Sequence, residues 1–178
     1  ILGGRGDLVA GQLVLKLDTG PLSWTAHAGR WWHAWDPGEE RLRRLPGHGP
    51  LARRGMTVDA GGAALKWNAA FPLEARWFQS KNRDSGEDSE ELQVSAGSRE
   101  RTWWPQVSFT WQRLSSTGTL YPVNGDEWWF YRRARGPRYE ASLPLPGQWT
   151  LSLVYLSQRL DGEDYEAHRK LVVLMKRF

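Results

Sequence analysis

The feature that most constrains this chain is a two-residue alternation of apolar and polar side chains, interrupted and restarted along the whole sequence by Gly, Pro, Asn and Asp. Period two marks a strand with one face in an apolar phase and the other in a polar phase, because successive strand side chains point to opposite sides. Residues 8–18 set Val9, Gly11, Leu13, Leu15 and Leu17 against Gln12, Lys16 and Asp18, and residues 22–32 set Leu22, Trp24, Ala26 and Ala28 against Ser23, Thr25 and His27. The pattern returns with Ala63, Leu65, Trp67 and Ala69, with Leu73, Ala75 and Trp77, and with Leu92, Val94 and Ala96. It continues with Trp103, Val107, Phe109 and Trp111, then with Tyr139, Ala141 and Leu143. In residues 148–178 two apolar-rich runs flank an acidic, Gly-containing loop, and the first places Trp149, Leu151, Leu153 and Tyr155 on one face.

This reading gives an all-β chain of about nine antiparallel, up-and-down strands, treated as one β domain over residues 1–178. Mean hydropathy is -0.61, and no run approaches the roughly 18–20 apolar residues of a spanning helix. A membrane β-barrel remains open, since its strands are only half apolar. The zero cysteines exclude disulfides, thiolate catalysis and Cys-based metal sites. A net charge of +4, with Lys and Arg spread among carboxylates, gives no nucleic-acid footprint. The four His are scattered and show no H-x-x-x-H or H-E-x-x-H spacing, so no metal or other cofactor is called for.

Two architectures share this alternation: a membrane barrel segment and a soluble β-sandwich or jelly roll. The connections favour the barrel. Short ones follow Asp18, Ala70, Gly97 and Pro144, and long ones cover 36–55, 82–90, 114–136 and, more modestly, 160–165. Short turns on one rim and long loops on the other is the layout of bacterial outer-membrane barrels, whose strand number is even. Nine strands and a start at Ile1 without a leader lead us to expect the C-terminal part of a larger barrel.

Twelve Trp is far above the usual content, and Trp concentrates at membrane interfaces and sugar-stacking platforms. Trp24, Trp67, Trp77, Trp103, Trp111, Tyr139, Trp149, Tyr155 and Phe178 are expected at the membrane interfaces. Arg41, Arg43, Arg44, Arg53 and Arg54, with Trp128, Trp129, Tyr131 and Arg132, form candidate ligand-binding groups, since guanidinium binds phosphate and carboxylate in bidentate fashion. Lipopolysaccharide or an acidic polysaccharide is the matching partner. No catalytic residues are assigned and no enzyme is expected. A barrel enzyme acting on lipid would need Ser23 or Ser108 to meet His27.

The chain stops at Phe178, with Leu174 and Val172 at alternate positions before it and Lys176 and Lys170 on the same face. Apart from those lysines, this resembles the C-terminal assembly signal of Gram-negative outer-membrane proteins. Residues 147–178 are also similar to the final hairpin of barrels that follow periplasmic tetratricopeptide repeats. The resemblance implies a bacterial outer-membrane location, recognition by the outer-membrane insertion machinery, and transport or export of a polysaccharide or lipoprotein cargo. The alternative is a periplasmic or secreted Trp-rich carbohydrate-binding β-sandwich.

Overall fold

The computed structural model describes residues 6–35, 55–98, 102–115, 133–162 and 164–176. They form nine strands: β1 (Gly6–Thr19), β2 (Leu22–Trp35), β3 (Gly55–Trp67), β4 (Leu73–Asn82), β5 (Asp88–Gly97), β6 (Gln106–Leu114), β7 (Ala134–Leu145), β8 (Trp149–Leu160) and β9 (Glu166–Lys176). Each pairs with the next in antiparallel fashion, giving one up-and-down sheet in sequence order with β1 and β9 at its two edges. The expected all-β, up-and-down arrangement is therefore what the chain adopts. The described sheet is open: among the described residues no ladder joins β1 to β9.

Several strands run past the apolar stretches that announce them. β2 continues to Trp35 and β3 starts at Gly55; within their ladder Arg30 and Asp59 sit opposite each other and bond, with Arg30 Nε donating to Asp59 Oδ1 at 2.6 Å. A charge pair directly across a ladder supports pairing as an apolar pair does. The hydrophilic segment 82–90, expected to be a long loop, is instead a compact turn at 83–87. Asn82 closes it: its Oδ1 accepts from the backbone N–H of Asp84 and Ser85 at 2.8 and 3.2 Å, and its own N–H donates to Glu87 O at 2.9 Å. Asn favours such positions because its side chain stands in for a backbone acceptor.

The opposite correction applies at 98–105. The turn there is longer than that at 83–87, β6 begins only at Gln106, and Trp103 lies outside the strand with φ at 65°. Gly97, with φ at 95°, starts this turn, and a Cβ there would lie 2.0 Å from Pro105 O, so no other residue fits without moving the backbone. The simple alternation of short and long connections therefore does not hold along the chain. One rim carries 20–21, 68–72, 98–105 and 146–148; the other carries 36–54, 83–87, 115–133 and 161–165.

The alternation resolves into two unlike faces. The described residues that are buried, with Ser157 the exception, lie on one face: Ser80, Asn82, Ser89, Ser95, Thr110, Gln112, Ser142, Ser152 and Gln158, together with Met56, Val58, Leu114, Val154 and Leu156 among the apolar ones. The large exposed apolar residues of the strands lie on the other face, with Val14 and Met175 the exceptions, both in edge strands. Ordinary folding logic places apolar groups inside and polar groups outside. Here the covered face is mostly polar and the uncovered face is apolar.

Candidate functional site

The apolar face is a continuous belt. Leu13, Leu15 and Leu17 of β1 meet Ala28, Ala26 and Trp24 of β2, which meet Gly61, Ala63 and Leu65 of β3. Ala75 and Trp77 of β4 carry it to Val94 and Leu92 of β5, then to Phe109 and Trp111 of β6. Tyr139 and Ala141 of β7 face Tyr155 and Leu153 of β8, and Leu151 and Leu153 face Leu174 and Val172 of β9. Val172 is 74% exposed and Leu153 51%.

One margin of the belt is charged. Each strand from β2 to β9 supplies one residue to it: Arg30, Asp59, Lys81, Asp88, Arg113, Arg135, Arg159 and Glu166. Most are paired. Asp59 also accepts from Arg83 at 2.5 Å, Arg113 donates to Asp88 at 2.6 Å, and Arg135 lies 3.5 Å from Asp161. Just inside this margin stand Trp77, whose Nε1 donates to Glu90 at 3.0 Å, and Trp111. A ladder of rings follows across four strands: Phe109 to Tyr139 at 5.3 Å, Tyr139 to Tyr155 at 6.2 Å, and Tyr155 to His168 at 6.1 Å, the last pair also hydrogen-bonded at 3.1 Å. The other margin is aromatic, with Trp24, Trp67 and Trp149, and with Phe71, Trp103 and Trp104 in its turns.

Lys170 and Lys176, the departures from the terminal sequence pattern, fall on these margins. Lys170 pairs with Tyr155 and Lys176 with Trp149, and the Lys176 ammonium lies 5.5 Å from the Trp149 ring centre. The two lysines bracket Val172 and Leu174, so in β9 the apolar belt is these two residues.

The belt crosses the hydrogen-bond register obliquely. The row through Trp24 passes Leu65, Ala75, Val94, Phe109 and Tyr139 and reaches Tyr155. Trp24 bounds the belt on the aromatic side and Tyr155 on the charged side. Trp149, the β8 residue on the same margin as Trp24, stands six residues from Tyr155, after six strand-to-strand steps. Along this aromatic margin the offset is one residue per strand; along the charged margin it is smaller, since the row through Arg159 reaches Ala28 on β2, two residues from Arg30. With ~3.3 Å of rise per residue and ~4.8 Å between strands, levelling the aromatic margin calls for a strand tilt of about 35°, and levelling the charged margin for about 13°.

The polar face holds a charge network. Arg76 Nε donates to Glu74 at 2.5 Å, Arg138 donates to Glu140 at 2.9 Å, and the Ser142 hydroxyl donates to Glu140 at 2.9 Å and lies 2.7 Å from that of Ser152. Arg138 and Glu140 retain only 13% and 12% side-chain exposure. The register places Arg76, Gln93, Thr110 and Arg138 in one row and Glu74, Ser95, Ser108 and Glu140 in the next. Gln112 Oε1 is the buried side-chain acceptor left without a partner among the described residues. His27 stacks on Phe78 at 5.9 Å by lying across Gly62, where a Cβ would come within 2.8 Å of the imidazole. Ser23 accepts from Asn68 at 3.3 Å, and no hydrogen bond joins His27 to Ser23 or Ser108. Among the described residues no group of three or more His, Asp or Glu is placed to hold a metal ion.

Of the residues singled out from sequence, Arg41, Arg43, Arg44, Arg53, Arg54, Trp128, Trp129, Tyr131, Arg132 and Phe178 lie outside the described residues. The structure brings Trp24, Trp67 and Trp149 to one margin of the belt and Trp77, Trp111, Tyr139 and Tyr155 to the other, while Trp103 occupies a turn. The charged margin was the feature that sequence reasoning missed; one charge per strand just beyond each apolar run was its signal. Neither protein-family models nor curated proteins give a match to this chain.

Proposed function

We propose that the chain is a membrane-embedded part of an outer-membrane β-barrel that serves as a transport or export conduit or as an assembly element in the membrane. The observation that carries this reading is the exposed apolar belt, which crosses the register obliquely between its two margins. The tilt of about 35° that levels its aromatic margin falls at the lower end of the roughly 35–45° of transmembrane barrels. At that tilt its height is ~16 Å on β8 and ~21 Å on β7, below the ~25 Å band typical of such barrels. Aromatic residues at both margins, backed on one side by paired charges, correspond to the girdles of such barrels. The polar face then lines the lumen, where Glu74, Arg76, Arg138 and Glu140 would contact water or cargo.

Unpaired strand edges are not tolerated in hydrocarbon. The reading therefore calls for strand partners at both β1 and β9, as in a larger barrel. Because β1 and β9 run the same way, an odd number of further strands closes such a wall with antiparallel pairs throughout. Lipopolysaccharide is the natural neighbour of the charged margin, and the insertion machinery is the expected assembly partner. The test is co-flotation of the refolded chain with phospholipid vesicles, together with heat-modifiable gel migration. Monodisperse behaviour in plain buffer with no vesicle association would remove the reading.

A further inference from the structure

Toward the aromatic rim the polar face opens into a hollow of about 500 Å³ between β3, β4, β5 and β6, a size in the range of small-ligand pockets. Its polar lining comes chiefly from Lys66, Asn68, Glu74, Arg76, Ser95 and Gln106. The mouth is held from both sides: the Gly97 N–H donates to Pro72 O at 2.9 Å, and Phe71 and Trp104 bring their rings to 6.2 Å. Turns 68–72 and 98–105 are thereby tied together. A fixed mouth lowers the ordering cost of binding.

The charge in this hollow is unbalanced. Lys66 and Glu74 are partners in the ladder, but the Glu74 carboxylate is engaged by Arg76 at 2.5 Å. Lys66 makes no ion pair among the described residues, and Gln106 and Ser95 make no side-chain hydrogen bond there. Two cations thus face one carboxylate, beside an amide and a hydroxyl with unused hydrogen-bonding capacity. An ammonium without a counter-charge supplies the attraction for an anion, and neutral donors and acceptors around it select the body that carries the charge.

We propose that this hollow binds a small ligand that bears a carboxylate on a hydroxyl-rich body, with the size and chemistry of a sugar acid. Lys66 takes the carboxylate, while Gln106, Ser95 and Asn68 take the hydroxyls. The site stands on the chemistry of the hollow and is independent of the membrane reading.

The test uses the full chain, folded in detergent micelles or in buffer, titrated calorimetrically with glucuronate, glucose and inorganic phosphate. Glucuronate is expected to bind, with glucose and phosphate each at least ~10-fold weaker, and Lys66→Met is expected to weaken glucuronate by a similar factor. Lys66 is exposed, so circular dichroism of Lys66→Met should match the parent chain. Gln106→Ala should weaken glucuronate by a smaller factor. Absence of glucuronate binding, equal binding of glucose or phosphate, or an unchanged affinity in Lys66→Met each overturns the proposal. Glucuronate binding by a chain that fails to float with vesicles would retain this site and remove the membrane reading.

Discussion

The two faces of this sheet come from one alternation but follow opposite rules. On the apolar face, large side chains such as Leu153 and Val172 are left uncovered and make few polar contacts. On the other face Ser142, Ser152 and Gln158 are almost fully buried, and charged residues bond to each other along the strand, as Arg138 does to Glu140. In water the hydrophobic effect would drive the first face to find a cover. The sequence period alone therefore does not say which face is the inside: a sandwich and a barrel wall share the period and differ in what meets the apolar side.

The sharpest way to break this comparison is to place a charge on the apolar face. Leu153→Arg should cost roughly 2–4 kcal/mol if that face meets lipid, and no more than about 0.5 kcal/mol if it meets water. Urea unfolding in phospholipid vesicles and in detergent-free buffer reads the difference. On the polar face, Arg138→Met removes the guanidinium that donates to the largely buried Glu140 and should cost about 2–3 kcal/mol. The same assay measures it, and a neutral result would mean that water reaches Glu140 freely. Gly97→Ala attacks the turn between β5 and β6 and should cost about 2 kcal/mol, since both φ and the approach of Pro105 O forbid a side chain. Circular dichroism melting reports it. The smallest effect is at the margin: Lys176→Ala removes the contact with Trp149 and should cost about 0.5–1 kcal/mol, seen also as a shift in Trp emission.

The strands were legible because alternation is local, and each run such as Leu13, Leu15 and Leu17 carries its own signal. The ends were less so. Nothing within the hydrophilic stretch 82–90 reveals that Asn82 would fold it into a tight turn, because that depends on its side chain reaching its neighbours' N–H groups. Likewise the meeting of Arg30 with Asp59 is set by the register between β2 and β3, which neither stretch carries alone. Lys170 and Lys176 were misfits in sequence and become ordinary once β8 shows Tyr155 and Trp149 beside them. The oblique belt and the Lys66 hollow were out of reach, since each draws on several strands and exists only after the pairings are fixed.

The offset of one residue per strand along the aromatic margin has a consequence for how such a wall grows. Two strands make a hairpin, and the offset then amounts to two residues, which is also the repeat of the pleat. A hairpin can thus be copied or lost while every remaining side chain keeps its side and that margin keeps its level. On this geometry the unit of inheritance is the hairpin, and walls of different circumference can be assembled from the same kind of piece.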